Sequence, residues 1–126
     1  MAKRILVVDD DQDLVEVLKT TLTKAGYRVL TAYDGEEALE RIRKVIPDLI
    51  VLDVVMPKTD GIEVLKGLTR MKNLNRRLAT PVILLTAKSE KKNVHQGYEF
   101  GADWYLAKPF QAPDLLAAVK SLLSGK

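Results

Sequence analysis

The 126-residue chain contains no cysteine. That absence excludes disulfide scaffolds, thiolate zinc sites, iron–sulfur clusters and cysteine nucleophiles together, and it fits a reducing compartment, so a cytoplasmic protein is expected. Histidine is nearly absent as well. His95 stands alone beside Asn93 and Gln96, with no second His or Cys to complete a metal site, and it is given no function. Aromatic residues make up only 6% of the chain and none falls in its basic stretch from Lys66 to Lys92, which disfavours a stacking platform for nucleic acid there. None of the seven glycines forms a Gly-x-Gly or P-loop spacing, so neither the dinucleotide fingerprint nor the Walker motif is present. Long apolar runs are missing too. The longest, around Leu49 and Val82, reach four to five residues, against the roughly 18 that span a bilayer. Ile5 to Val8 is cut off by Asp9, Asp10 and Asp11 before the roughly 7 apolar residues of a secretory leader accumulate. Neither export by that route nor a place in the membrane is expected.

What remains is the composition of an ordinary folded domain, with 47% apolar and 29% charged residues, enough to bury a core. The length predicts one domain over residues 1–126, since domains average about 150 residues. Only Gly125 and Lys126 follow Leu123 and Ser124, so no effector domain is expected on this chain, which is either a stand-alone unit or a fragment. The net charge of +3 is unevenly spread: residues 1–63 hold 9 Lys/Arg and 13 Asp/Glu, hence −4, and residues 64–126 hold 11 and 4, hence +7. The basic stretch from Lys66 to Lys92 reads as a solvated helix face rather than a nucleic-acid patch.

Five short runs rich in β-branched residues read as buried strands: Ile5 to Val8, Arg28 to Ala32, Leu49 to Leu52, Val82 to Leu85 and Trp104 to Ala107. Helical patterns separate and follow them. Leu14, Leu18, Leu22 and Ala25 share one helix face; Ala38, Leu39, Ile42 and Val45 another; Ile62, Leu65 and Leu68 a third; Leu115, Val119 and Leu122 the last. A fainter pattern with Val94 and Tyr98 predicts a helix over Ser89 to Phe100, weakened by Gly97. Asp34 with Glu37, and Asp60 with Glu63, have the spacing of an N-cap and its N3 partner. Asp11 reads as the N-cap of the first helix. Strands alternating with helices imply a parallel sheet covered on both faces, an α/β fold.

In such a sheet the ligand site lies beyond the carboxyl ends of the strands, where strand order reverses. The residues found there are Asp9, Asp10 and Asp11 after the first strand, Asp53 after the third, Thr86 after the fourth and Lys108 after the fifth. Right-handed crossovers place strands 1 and 3 side by side, so Asp9 or Asp10 should face Asp53. Carboxylates about 4 Å apart repel by roughly 1 kcal/mol in water and roughly 4 at an effective dielectric of 20, which a cation relieves. An all-oxygen donor set suits a hard divalent ion such as Mg2+. Lys108 adds a positive charge and Thr86 a hydroxyl, and together these are parts for holding a phosphoryl group.

Asp9 and Asp10 after an apolar strand, Asp53-Val54-Val55-Met56-Pro57 followed by Asp60-Gly61, Thr86-Ala87, and Tyr105-Leu106-Ala107-Lys108-Pro109-Phe110 occur in that order. In this the chain resembles the receiver domain of two-component response regulators, over essentially its whole length and most closely the stand-alone, chemotaxis-Y-like kind. The resemblance implies a doubly wound, flavodoxin-like sheet of order 2-1-3-4-5. It implies that Asp53 takes a phosphoryl group from a sensor histidine kinase or a phosphotransfer protein, and that Mg2+ is held by Asp9, Asp10, Asp53 and the backbone carbonyl of Val55. Lys108 and Thr86 would contact the phosphoryl oxygens, and Tyr105 would turn inward when Thr86 moves. The Lys108-Pro109 peptide is expected to be cis. Val55 and Lys88 stand where the family tunes signal lifetime, and output would pass to a protein partner through the fourth predicted helix, the fifth strand and the last helix.

The residues agree with that chemistry on their own terms. A carboxylate with a reference pKa near 3.9 is ionised at neutral pH and needs no general base to attack phosphorus. No catalysis is expected beyond the domain's own phosphorylation and dephosphorylation. A haloacid dehalogenase-type phosphatase also uses an Asp, a Lys and Mg2+, but it wants a second Asp two residues on, where this chain has Val55. A pseudo-receiver scaffold is disfavoured by the complete set of acids, Lys and Thr. Asp9, Asp11 and Asp13 imitate a calcium loop, but Leu14 and Thr20 occupy the positions that need Gly and Glu. Trp104, where the family usually has a small or acidic residue, reads as a partly buried strand aromatic ahead of the alternative, a partner contact.

Overall fold

The computed structural model describes residues 2–53, 61–74, 79–87 and 101–124. Along the chain run β1 (Arg4–Val8), α1 (Gln12–Lys24), β2 (Arg28–Ala32), α2 (Gly35–Lys44), β3 (Leu49–Asp53), α3 (Gly61–Leu74), β4 (Val82–Ala87), β5 (Trp104–Lys108) and α4 (Ala112–Ser124). All five strands are parallel, in the order β2-β1-β3-β4-β5. This is the doubly wound order that the resemblance implies. The predicted helix over Ser89 to Phe100, with His95 in it, lies outside the described residues, as do Val55, Asp60 and Lys88.

The strands are near-continuous aliphatic runs because both faces of the sheet are covered, and their alternation divides the interior into two cores. Leu6, Val8, Ile50, Leu52, Val82 and Leu84 meet Ala38 and Ile42 of α2 and Ile62, Leu65 and Leu68 of α3. Ile5, Val7, Leu49, Val51, Ile83 and Leu85 meet Val15, Leu18 and Leu22 of α1 and Leu115 and Val119 of α4. The first of these cores is tight between α2 and α3: a Cβ on Gly67 would stand 2.8 Å from Leu39 Cδ2.

Local chemistry starts and stops the helices. Asp11 caps α1, accepting from the amides of Asp13 at 3.1 Å and Leu14 at 3.2 Å. Asp34 caps α2, accepting from the Glu37 amide at 2.8 Å. Glu37 differs from a strict capping box, since its carboxylate accepts from the Tyr33 amide at 2.6 Å and so fixes the residue before the cap. Helix α1 ends in a Schellman motif: Gly26, at φ 99°, donates to Thr23 O at 3.0 Å, and Tyr27 donates to Leu22 O at 3.1 Å.

Two acids that sequence reasoning did not single out tie the opposite end of the sheet. Asp48 accepts from the Arg4 amide at 2.7 Å, and Asp103 accepts from the Val82 amide at 2.8 Å. Both satisfy the first N–H of a strand where no neighbouring carbonyl is in register. Thr80 adds a hydroxyl bond to Pro47 O at 2.9 Å. The amino ends of the strands are thereby fixed, and polar side chains on the carboxyl ends are left for other purposes.

Candidate phosphoryl and metal site

The sheet register builds the site. Val8 is paired with Leu52 across β1 and β3, so Asp9 stands level with Asp53. Both continue the alternation of Val7 and Val51 and belong to the side of the sheet that carries α1 and α4. Asp53 is paired with Leu85, Thr86 with Ala107, and Ala87 with Lys108, which brings Thr86 and Lys108 to the same rim. Asp9, Asp53 and Thr86 are buried, at 1%, 5% and 2% exposure, whereas Asp10 is exposed. The site therefore has a dry floor and one carboxylate open to water.

Among the described residues, Asp9, Asp10 and Asp53 form one carboxylate cluster, each offering an oxygen within 4.8 Å of the others. Lys108 reaches into it. Its Nζ donates to Asp9 Oδ2 at 3.2 Å and to Asp53 Oδ1 at 3.3 Å, bridging the ends of two adjacent strands. Burial pulls the ammonium toward its neutral form. The attraction of Asp53, then of Asp9, together with the hydrogen bonds to both, outweighs that, and the Lys108 pKa lies above the ordinary lysine value. The Asp11 amide donates to Asp9 Oδ1 at 3.0 Å, so both oxygens of Asp9 have fixed orientations. The Lys108-Pro109 peptide that follows is cis, as the motif predicts.

Three carboxylates against one ammonium leave a local charge of about −2, and the donors are all oxygen. Such a set can hold a hard divalent ion. Tyr105, on β5, is 43% exposed, and Trp104 beside it is 52% exposed, so each is only partly covered. β5 is the edge of the sheet, with β4 as its neighbour on one side only.

Residues 5–120 match the model of the response regulator receiver domain. The chain belongs to that family. It is 49% identical over 123 residues to the alkaline phosphatase synthesis transcriptional regulatory protein PhoP of Bacillus subtilis, a match covering 98% of this chain and 49% of the relative. The chain thus spans about half the length of this curated relative. Among solved structures it is similar to the chemotaxis protein CheY4 of Vibrio cholerae, with TM-score 0.87 and 32% identity over 98% of this chain and all of that one. It is also similar to the signal receiver domain of a signal transduction histidine kinase from Syntrophus aciditrophicus, with TM-score 0.87 and 39% identity over 98% of this chain and 92% of that one.

The chain is therefore a receiver domain of two-component response regulators, with the five-stranded parallel sheet of CheY-like receivers. Receiver domains of this family interact with histidine kinases or phosphotransfer proteins. No helix among the described residues is long and apolar enough to cross a membrane.

Proposed function

We propose that this receiver domain, residues 1–126 as one unit, accepts a phosphoryl group on Asp53 from a sensor histidine kinase or phosphotransfer protein. The observation that carries this reading is the Lys108 bridge. A single ammonium lies 3.3 Å from Asp53 Oδ1 and 3.2 Å from Asp9 Oδ2, so a cation stands beside the carboxylate that the family motif makes the acceptor, ready to offset part of the charge a phosphoryl group adds. In the reaction, an Asp53 carboxylate oxygen forms a bond to phosphorus as the P–N bond of a phosphohistidine breaks. The electron pair leaves with the imidazole nitrogen, which takes up a proton. A carboxylate nucleophile needs no general base.

Asp9, Asp10 and Asp53, with the Val55 carbonyl by family resemblance, would hold Mg2+. When bound, this ion supplies charge neutralisation between the carboxylates and the phosphoryl oxygens. Lys108 would pair with a phosphoryl oxygen, and Thr86 would donate its hydroxyl to another. Tyr105, exposed on β5, is the side chain that reorients when Thr86 is engaged. The change is a shift in population rather than a new fold. Output passes to a protein partner across the predicted Ser89 to Phe100 helix, β5 and α4, and the domain works in the cytoplasm without turning over external substrates.

The test is incubation of the protein with Mg2+ and a small phosphodonor such as phosphoramidate, followed by mass mapping. One adduct on Asp53 is expected, absent from Asp53→Asn. An adduct on Asp9 or Asp10 overturns the assignment.

A further inference from the structure

The opposite end of the sheet carries a second charged feature that the phosphoryl site does not use. Register pairs Arg4 of β1 directly with Arg28 of β2, so two guanidinium side chains start from backbones about 4.8 Å apart on the same face. Like charges placed directly opposite each other are destabilising. Among the described residues neither arginine is in an ion pair. Asp48 is near, but Asp48 Oδ2 accepts from the Arg4 backbone amide. Both arginines are exposed, and both line one cleft of about 470 Å3. Its other walls include the half-buried Tyr27 and the aliphatic side chains of Val29, Leu30 and Val45. The cleft runs along β2, which has a neighbour on one side only and so presents free backbone groups on the other.

We infer that this cleft is a docking site for an acidic, aliphatic peptide segment of a protein partner, bound alongside β2. Each of the two arginines can hold a carboxylate in the two-pronged, charge-assisted geometry of guanidinium, and a carboxylate between them relieves their mutual repulsion. The aliphatic wall takes alternate apolar side chains, and the open edge offers main-chain hydrogen bonds, as in strand addition. A nucleic acid fits less well, because the cationic groups form a pair beside an aliphatic wall rather than a stripe along a backbone. The site lies at the amino ends of the strands, so a partner bound there leaves the Asp53 rim open.

The experiment uses a fluorescent Leu-Glu-Leu-Glu-Leu peptide, with Leu-Lys-Leu-Lys-Leu as control, observed by anisotropy and by amide NMR shifts. Salt-sensitive binding of the acidic peptide is expected, with shifts gathered on Arg4, Arg28 to Leu30 and Val45. Charge reversal by Arg28→Glu or Arg4→Glu should weaken it about tenfold or more, as loss of a charge-assisted hydrogen bond implies. Both sites are exposed, and a melting temperature no lower than the parent's checks that each variant is folded; Arg28→Lys should retain part of the affinity. Equal binding of the basic peptide, shifts confined to β5 and α4, or preferential binding of a DNA duplex to the same residues each overturns the proposal.

Discussion

Replacing Lys108 by Met keeps an unbranched side chain one atom shorter and removes its charge. The parent cluster has Asp9 and Asp53 nearly inaccessible to water, with Lys108 Nζ at 3.2 and 3.3 Å from them. Their oxygens lie within 4.8 Å of each other, a separation at which two unit charges repel by about 0.9 kcal/mol in water and about 3.5 kcal/mol at an effective dielectric of about 20. Breaking a buried pair by deleting one partner costs about 3–5 kcal/mol. Because the Lys108 side chain is 29% exposed, the loss should fall near the lower end, about 3 kcal/mol. For a domain of this size that is a drop of roughly 10–15 °C in melting temperature. Urea unfolding followed by circular dichroism in EDTA measures it. The charge argument makes two further demands on the same variant. Adding Asp9→Asn should restore part of the loss, since one member of the repelling pair is gone. Mg2+ at about 100 times its dissociation constant should return about 2.7 kcal/mol by mass action. A Lys108→Met protein within 1 kcal/mol of the parent, or one that Asp9→Asn destabilises further, would refute the reasoning.

Asp10→Asn should act in the opposite direction from most substitutions. Asp10 is exposed and repelled by two carboxylates while Lys108 serves the other two, so its neutralisation should stabilise the metal-free protein by about 1 kcal/mol at low salt and remove the Mg2+ response; calorimetry with and without Mg2+ reads both. Gly26→Ala should destabilise by about 1 kcal/mol, because φ is 99° there although nothing stands within 4 Å of the new Cβ; a neutral result in urea melts would mean that the α1 terminus relaxes out of its Schellman geometry.

The sheet was readable because each strand is an unbroken aliphatic run ended by a polar residue, and once strand order follows from chirality, the level of Asp9 with Asp53 follows by counting. The cap at Asp11 was readable for the same reason: its chemistry is local. The Lys108 bridge was not. From β5 the lysine must pass the end of β4 to reach Asp53 and the end of β3 to reach Asp9, and that reach depends on sheet twist and the path of a long side chain. The difference between buried Asp9 and exposed Asp10 was equally hidden, because adjacent acids look alike until the last turn of the strand fixes which of them points inward. How open Trp104 would be was not legible either, because strand pattern alone does not say which strand is an edge. Asp48 and Asp103 gave no signal beyond standing near a strand start, and their work is to satisfy backbone amides that only the three-dimensional register leaves unpaired.

The division of the interior by the sheet has a mechanical consequence. Between Ile5 and Val8, Leu49 and Leu52, and Val82 and Leu85 the wall is solid aliphatic packing with every described side chain buried. Close-packed interiors of this kind deform little, so the helices on one side have no soft path through the middle of the wall to those on the other. The alternation of buried aliphatics stops only at the lip, where acidic, hydroxyl and ammonium groups replace them. A disturbance of charge at that lip acts on both layers from their common boundary, as a latch does on two doors that share one post.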